Sequence, residues 1–180
     1  KKPGAESKRI HQCLLASCCN YFREIGVPEE FAAPALLTIC SALIGRKFFM
    51  VTSKGPAFLN AYRFIIAGPG AGKSLAVKFV KDVIQQTELV CPIMPASITK
   101  ESLIDELATD KCRVMLGFDA AEKVNAGLVL ASEYGVLIGH YINPDFFHTM
   151  CTLWDGEHYK ETRRSLPNPI EIFNPYVNML

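Results

Sequence analysis

The chain has 180 residues, 49% of them hydrophobic, enough to bury a real core in one compact domain. Its 19 Lys and Arg nearly balance 18 Asp and Glu, which argues against a protein that coats nucleic acid or an anionic membrane by bulk charge, so any basic surface is local. The seven cysteines are odd in number, scattered and free of C-x-x-C pairs, and read as reduced thiols of a cytoplasmic chain rather than a disulfide framework.

The opening KKPGAESKRI leads into no signal-peptide core, so export is not expected. Apolar residues from Ile10 to Ile25 recur at helical spacing and stop at Gly26 and Pro28, which predicts a first helix. Pro28, Glu29 and Glu30 suit the start of a second, because proline lacks the amide that a first turn wastes and acids favour the positive dipole end. That helix is expected to run to about Leu43 with a bend at Pro34. Its apolar stretch from Ala32 to Gly45 is shorter than the roughly 20 residues of a membrane span, so no membrane partner is expected.

After Gly45, KFFMVT and LNAYRFIIA read as a strand pair entering the core, joined by a turn at SKGP. From Ser74 to Gln86 the residues Leu75, Phe79, Val80 and Val83 form one helical stripe. ELVCPIM reads as a buried strand, and Thr99 with Glu101 opens the helix KESLIDELA. CRVMLGFDA and AGLVLASEYGVLIG read as strands separated by a polar turn around Glu122 to Asn125. FFHTMCTLWDG reads as a helix stopped by glycine, with Phe146, Phe147, Leu153 and Trp154 as core packing rather than a base-stacking platform. The closing IEIFNPYVNML is strand-like, as though the chain continues. The expected fold class is α/β, a mainly parallel sheet flanked by helices, with a small helical lobe over 1–47 and a core over 48–180 cut short at its C-terminal side.

The stretch from Ala67 to Ser74, AGPGAGKS, follows the apolar run RFII. It matches the phosphate-binding loop G-x-x-x-x-G-K-[ST] except that Ala67 replaces the first glycine. Successive glycines let main-chain amides converge on phosphate oxygens, and the following helix start adds its positive end. The nucleotide site is therefore expected over Gly68, Pro69, Gly70, Ala71, Gly72, Lys73, Ser74 and Leu75. Lys73 would reach the outer phosphates of ATP, and Ser74 would give its hydroxyl to Mg2+.

Hydrolysis also needs an acid at the end of another strand to polarise the attacking water. Glu133, after the apolar LVLA, is favoured over Asp119, after RVMLGF, because the more completely apolar strand is the more central one. Ser132 stands where many such proteins carry a magnesium-binding aspartate, so slow hydrolysis or help from Asp119 is one expectation. Arg163 and Arg164 in YKETRRS, beside Lys160, form the clearest basic cluster and are candidates for a phosphate or DNA contact, although Glu157 and Glu161 dilute the field.

Several stretches together resemble the P-loop NTPase domain encoded beside primases in phages, plasmids and integrated elements, a helicase-like family. They are SALIGRKFFM, LNAYRFIIAGPGAGKS, SITKESLIDELA, LVLASEYGVLIG and LWDGEHYKETRRSLPNPIEIFNPYVNML. The resemblance implies a RecA-like core that couples ATP hydrolysis to work on DNA during replication, as a homo-oligomer in a bacterial host cytoplasm, with single-stranded DNA and a primase domain as partners. By position it assigns nucleotide binding to Gly70, Gly72, Lys73 and Ser74, and catalysis to Glu133. Family members often carry Asp-Glu at the acid strand, from which Ser132 departs. Alternatives of other classes are a nucleotide-gated binding module with little turnover and a small P-loop phosphotransferase.

Overall fold

The computed structural model describes residues 4–87, 91–96, 98–115, 123–133 and 144–180. Helix α1 (Gly4–Glu24) ends at Gly26, whose φ of +73° turns the chain. A 3-10 turn over Glu29–Phe31 then leads into α2 (Ala32–Ile44). The turn absorbs the first residues of the expected helix and leaves Pro34 in the opening turn of α2, where its missing amide costs nothing.

The expected strand pair differs most. Phe49–Thr52 (β1) and Gly55–Phe58 (β2) form an antiparallel hairpin by themselves, and every residue of β1 is exposed. The stretch that follows is not a strand. Only Tyr62 bridges, in parallel, to Met179, with Arg63 N–H donating to the Met179 carbonyl at 2.9 Å. Two strands with this composition can pair along their inner edges without entering the core, their outer edges left open among the described residues.

Helix α3 (Lys73–Gln85) buries Ala76, Val80 and Ile84, so its inner stripe lies one position beyond the expected one and Leu75 is exposed. Strand β3 is short (Ile93–Met94) and is followed by α4 (Lys100–Leu107), which Thr99 caps by accepting the Ser102 amide. Strand β4 (Arg113–Met115) runs antiparallel to β5 (Lys123–Val129). Residues Lys123 to Asn125, expected in a turn, belong to β5 because they pair with β4, Val124 is buried and Asn125 is satisfied internally. Its Nδ2 donates to the Leu107 carbonyl at 2.7 Å, and its Oδ1 accepts the Phe173 amide at 2.7 Å. Helix α5 (Pro144–Asp155) buries Phe146 and Leu153 but leaves Trp154 half exposed, one helical step round from Leu153. The chain closes with β6 (Tyr159–Glu161), β7 (Ile170–Ile172) and β8 (Tyr176–Met179). The last two are separated at Asn174, whose φ of +45° breaks what reads as one strand.

Strand β5 is central, with β3 and β8 parallel to it and residues 61–63 beside β8. Alternate residues of β5 and β8 serve opposite faces. Val124, Ala126, Leu128 and Tyr176 pack with α1, α2 and α3, whereas Val129, Val177 and Met179 pack with α4 and α5. The first two helices thus share one core with α3 and the sheet, and the molecule is α/β with a parallel sheet flanked by helices.

Candidate functional site

The loop between the 61–63 segment and α3 has the backbone its glycines allow. Gly70 (φ +77°) and Gly72 (φ +84°) are both left-handed, a conformation that costs an L-residue about 1–2 kcal/mol. A Cβ on Gly72 would also meet Val27 Cγ2 at 3.0 Å, so the elbow between α1 and α2 supports the loop from behind. Ala67 has no positive φ, which is why the pattern tolerates alanine there. Gly72 caps α3 without a side chain. Among the described residues, no backbone acceptor meets the amides of Gly70, Gly72, Lys73 and Ser74. These unsatisfied donors and the helix dipole give the loop a local positive potential.

Lys73 folds back over this loop, donating to the Ala67 carbonyl at 2.6 Å and the Gly68 carbonyl at 2.9 Å. Gly68, Pro69 and Gly70 are exposed, Ala71 is half-buried, and Ser74 and Leu75 are exposed on the first turn of α3.

Lys73 and Glu133 line one cleft of about 580 Å³ with Ser132 and Ala67. The cleft exists because the ladder between residues 61–63 and β8 ends at Met179. Beyond it, residues 64–67 and 131–133 both line the cleft with Leu180, whose carbonyl accepts the Ala131 amide at 3.0 Å. Most of its lining is apolar, Phe64, Ile65, Ile66, Val77, Met179 and Leu180 among it, and Arg63, Lys73, Ser132 and Glu133 supply polar side chains. Glu133 and Ser132 are both exposed there. Asp119, the rival acid, lies outside the described residues.

One cleft residue escaped the sequence reading. Arg63 lines the cleft and has no carboxylate partner among the described residues, its guanidinium donating only to Thr38 Oγ1 at 3.4 Å. Burial lowers its pKa. The only signal available was a lone arginine heading an apolar run.

The basic cluster is elsewhere and largely neutralised. Arg163 pairs with Glu161 at 2.6 Å and Asp105 at 2.8 Å, and donates to the Glu101 carbonyl at 3.3 Å, tying β6 to α4. Its pKa is raised by the hydrogen bond to Glu161. Lys160 pairs with Glu171 at 2.9 Å. Arg164 is exposed and has no ion pair among the described residues. None of the three lines the cleft.

Among the described residues, no three His, Cys, Asp or Glu side chains converge as a metal site, and no helix is long and apolar enough to cross a membrane. Comparison with protein-family models, curated proteins and solved structures gives no match.

Proposed function

We propose that the chain binds ATP at the loop over residues 67–75 and hydrolyses it with the Glu133 carboxylate activating the water. The observation that carries this reading is the shared cleft. Lys73, which follows a loop of left-handed glycines whose amides meet no backbone acceptor among the described residues, lines the same cleft as the Glu133 carboxylate, four residues beyond the central strand. Phosphate oxygens would take the free amides and the positive end of α3. Lys73 would exchange its two carbonyls for a phosphate anion, a stronger acceptor. Glu133 would accept a proton from, and orient, the attacking water. Mg2+ arrives with the nucleotide as part of the substrate. The hydroxyls of Ser74 and Ser132 and the Glu133 carboxylate are hard oxygen donors of the kind that ion takes, and it would neutralise charge on the phosphates.

The resemblance to primase-associated P-loop domains supports a RecA-like core and coupling of this hydrolysis to DNA work as a helicase-like oligomeric motor. A second reading, a nucleotide-gated module with little turnover, is favoured by Ser132 in place of a carboxylate. Phosphate release by wild type and by Glu133→Gln separates the two. Turnover that falls about 10²-fold or more in the variant while ATP binding persists supports hydrolysis; bound ATP without turnover in either protein supports the gate.

A further inference from the structure

The β1–β2 hairpin stands out from the rest of the surface. Phe48, Phe49, Met50 and Val51 are consecutive, apolar and exposed, Phe48 at 65% and Val51 at 81%. Because strand side chains alternate, these residues put exposed apolar groups on both sides of the hairpin, which is unusual for a segment that meets only water. Between Arg46 and Asn60 the sequence has three basic side chains and no acid. Arg46 anchors the base of the hairpin, donating to the Gly156 carbonyl at 3.0 Å and lying 3.7 Å from the Phe58 ring centre. Lys47 and Lys54 are exposed, with no ion pair among the described residues.

Charge and shape narrow the occupant. A second copy adding its own β1 antiparallel to this edge would bring Lys47 of one chain towards Lys54 of the other, a like-charge meeting that opposes the contact. Insertion into a bilayer would have to begin with the tip, which is Thr52, Ser53 and Lys54 and therefore polar. Single-stranded nucleic acid offers what the hairpin lacks: flat apolar faces for the aromatic rings and anions for the lysines, with no carboxylate nearby to repel them. Thr52 Oγ1 is tied to the Gly55 carbonyl at 2.7 Å and so is not spare for a ribose 2′-hydroxyl.

We infer that the β1–β2 hairpin is a contact for single-stranded DNA, with Phe48 and Phe49 stacking on bases and Lys47 and Lys54 meeting the flanking phosphates. None of these hairpin residues lines the cleft with Lys73 and Glu133, so the contact rests on the hairpin itself and not on the ATP reading.

The test is fluorescence anisotropy of a labelled oligothymidylate, titrated at several salt concentrations with wild type, Phe48→Ala, the pair Lys47→Ala and Lys54→Ala, and Lys73→Ala. Phe48 lies outside the β1–β2 ladder, so its loss leaves the fold intact, as unchanged circular dichroism would verify. Phe48→Ala is expected to weaken binding about tenfold. The lysine pair is expected to reduce the slope of log affinity against log salt by about 1.4, roughly 0.7 for each phosphate contact. Lys73→Ala is expected to bind the oligonucleotide as wild type does, which keeps failure here distinct from failure of the ATP reading. The inference is overturned if wild type does not bind, if both hairpin variants bind unchanged, or if oligouridylate binds more tightly than oligothymidylate. It is equally overturned if the variants instead alter association with phosphatidylserine vesicles or the sedimenting mass of the protein.

Discussion

Lys73, holding two carbonyls of its own loop, concentrates the chemistry of the site in one side chain. Its companion Gly72 is fixed by two separate constraints, a left-handed φ and the contact that any Cβ would make with Val27. Gly72→Ala is therefore expected to cost stability by about 1–2 kcal/mol from the backbone alone, measured by urea unfolding, and to weaken ATP binding together with it. A variant as stable as wild type would show that the loop relaxes freely. The glycines, Lys73 and Ser74 were legible because the pattern depends on local backbone geometry, which eight adjacent residues carry by themselves. Arg63 was not, because its place in the cleft depends on where β8 ends, a fact of tertiary pairing. The ties of Arg163 were hidden for the same reason: Glu161 is a sequence neighbour, but Asp105 and Glu101 on α4 reach it only in the fold.

Among the elements, α4 was the most readable. Its cap and amphipathic face are local features, and Thr99→Ala is expected to lower stability by about 1 kcal/mol through loss of the acceptor for the Ser102 amide. Thermal unfolding would measure this, and an unchanged midpoint would show that water replaces the cap without loss. The segment before the loop was the least readable. Its apolar run has strand composition, but a strand needs partners along its length, and β8 supplies one only as far as Met179. KFFMVT likewise read as core because aromatic and β-branched residues favour strands wherever they lie; composition carries no information on which side of the sheet edge a hairpin falls. The boundary of β5 shifted for a related reason. Asn125 looks like a turn residue until Leu107 and Phe173 are brought to it.

Across the whole molecule, two apolar clusters sandwich one parallel sheet, and groups buried between the layers tie stability to alkaline pH. Burial pushes the Cys91 thiol from an ordinary 9.0 up to about 12. It also pushes Tyr176, whose hydroxyl donates to the Ser41 carbonyl, from 10.0 up to about 12. In that window the folded chain keeps protons that the unfolded chain releases, so stability is full below about pH 9 and falls as pH rises towards 12. Thermal midpoints from pH 8 to 11 should decline progressively, more shallowly in Cys91→Ala; a flat profile would show that these groups are open to solvent. The α/β layering was legible from alternating patterns, whereas strand order was not, since nothing local states that β8 lies between β5 and the 61–63 segment. That order is what sets the loop and Glu133 across one cleft. The most direct test of what the cleft does is equilibrium titration of a fluorescent ATP analogue with Mg2+ against wild type and Lys73→Ala. Saturable binding by wild type, weakened at least about tenfold in the variant, is the expected result; equal affinity in the two proteins, or no binding by folded wild type, would contradict a triphosphate site at this loop.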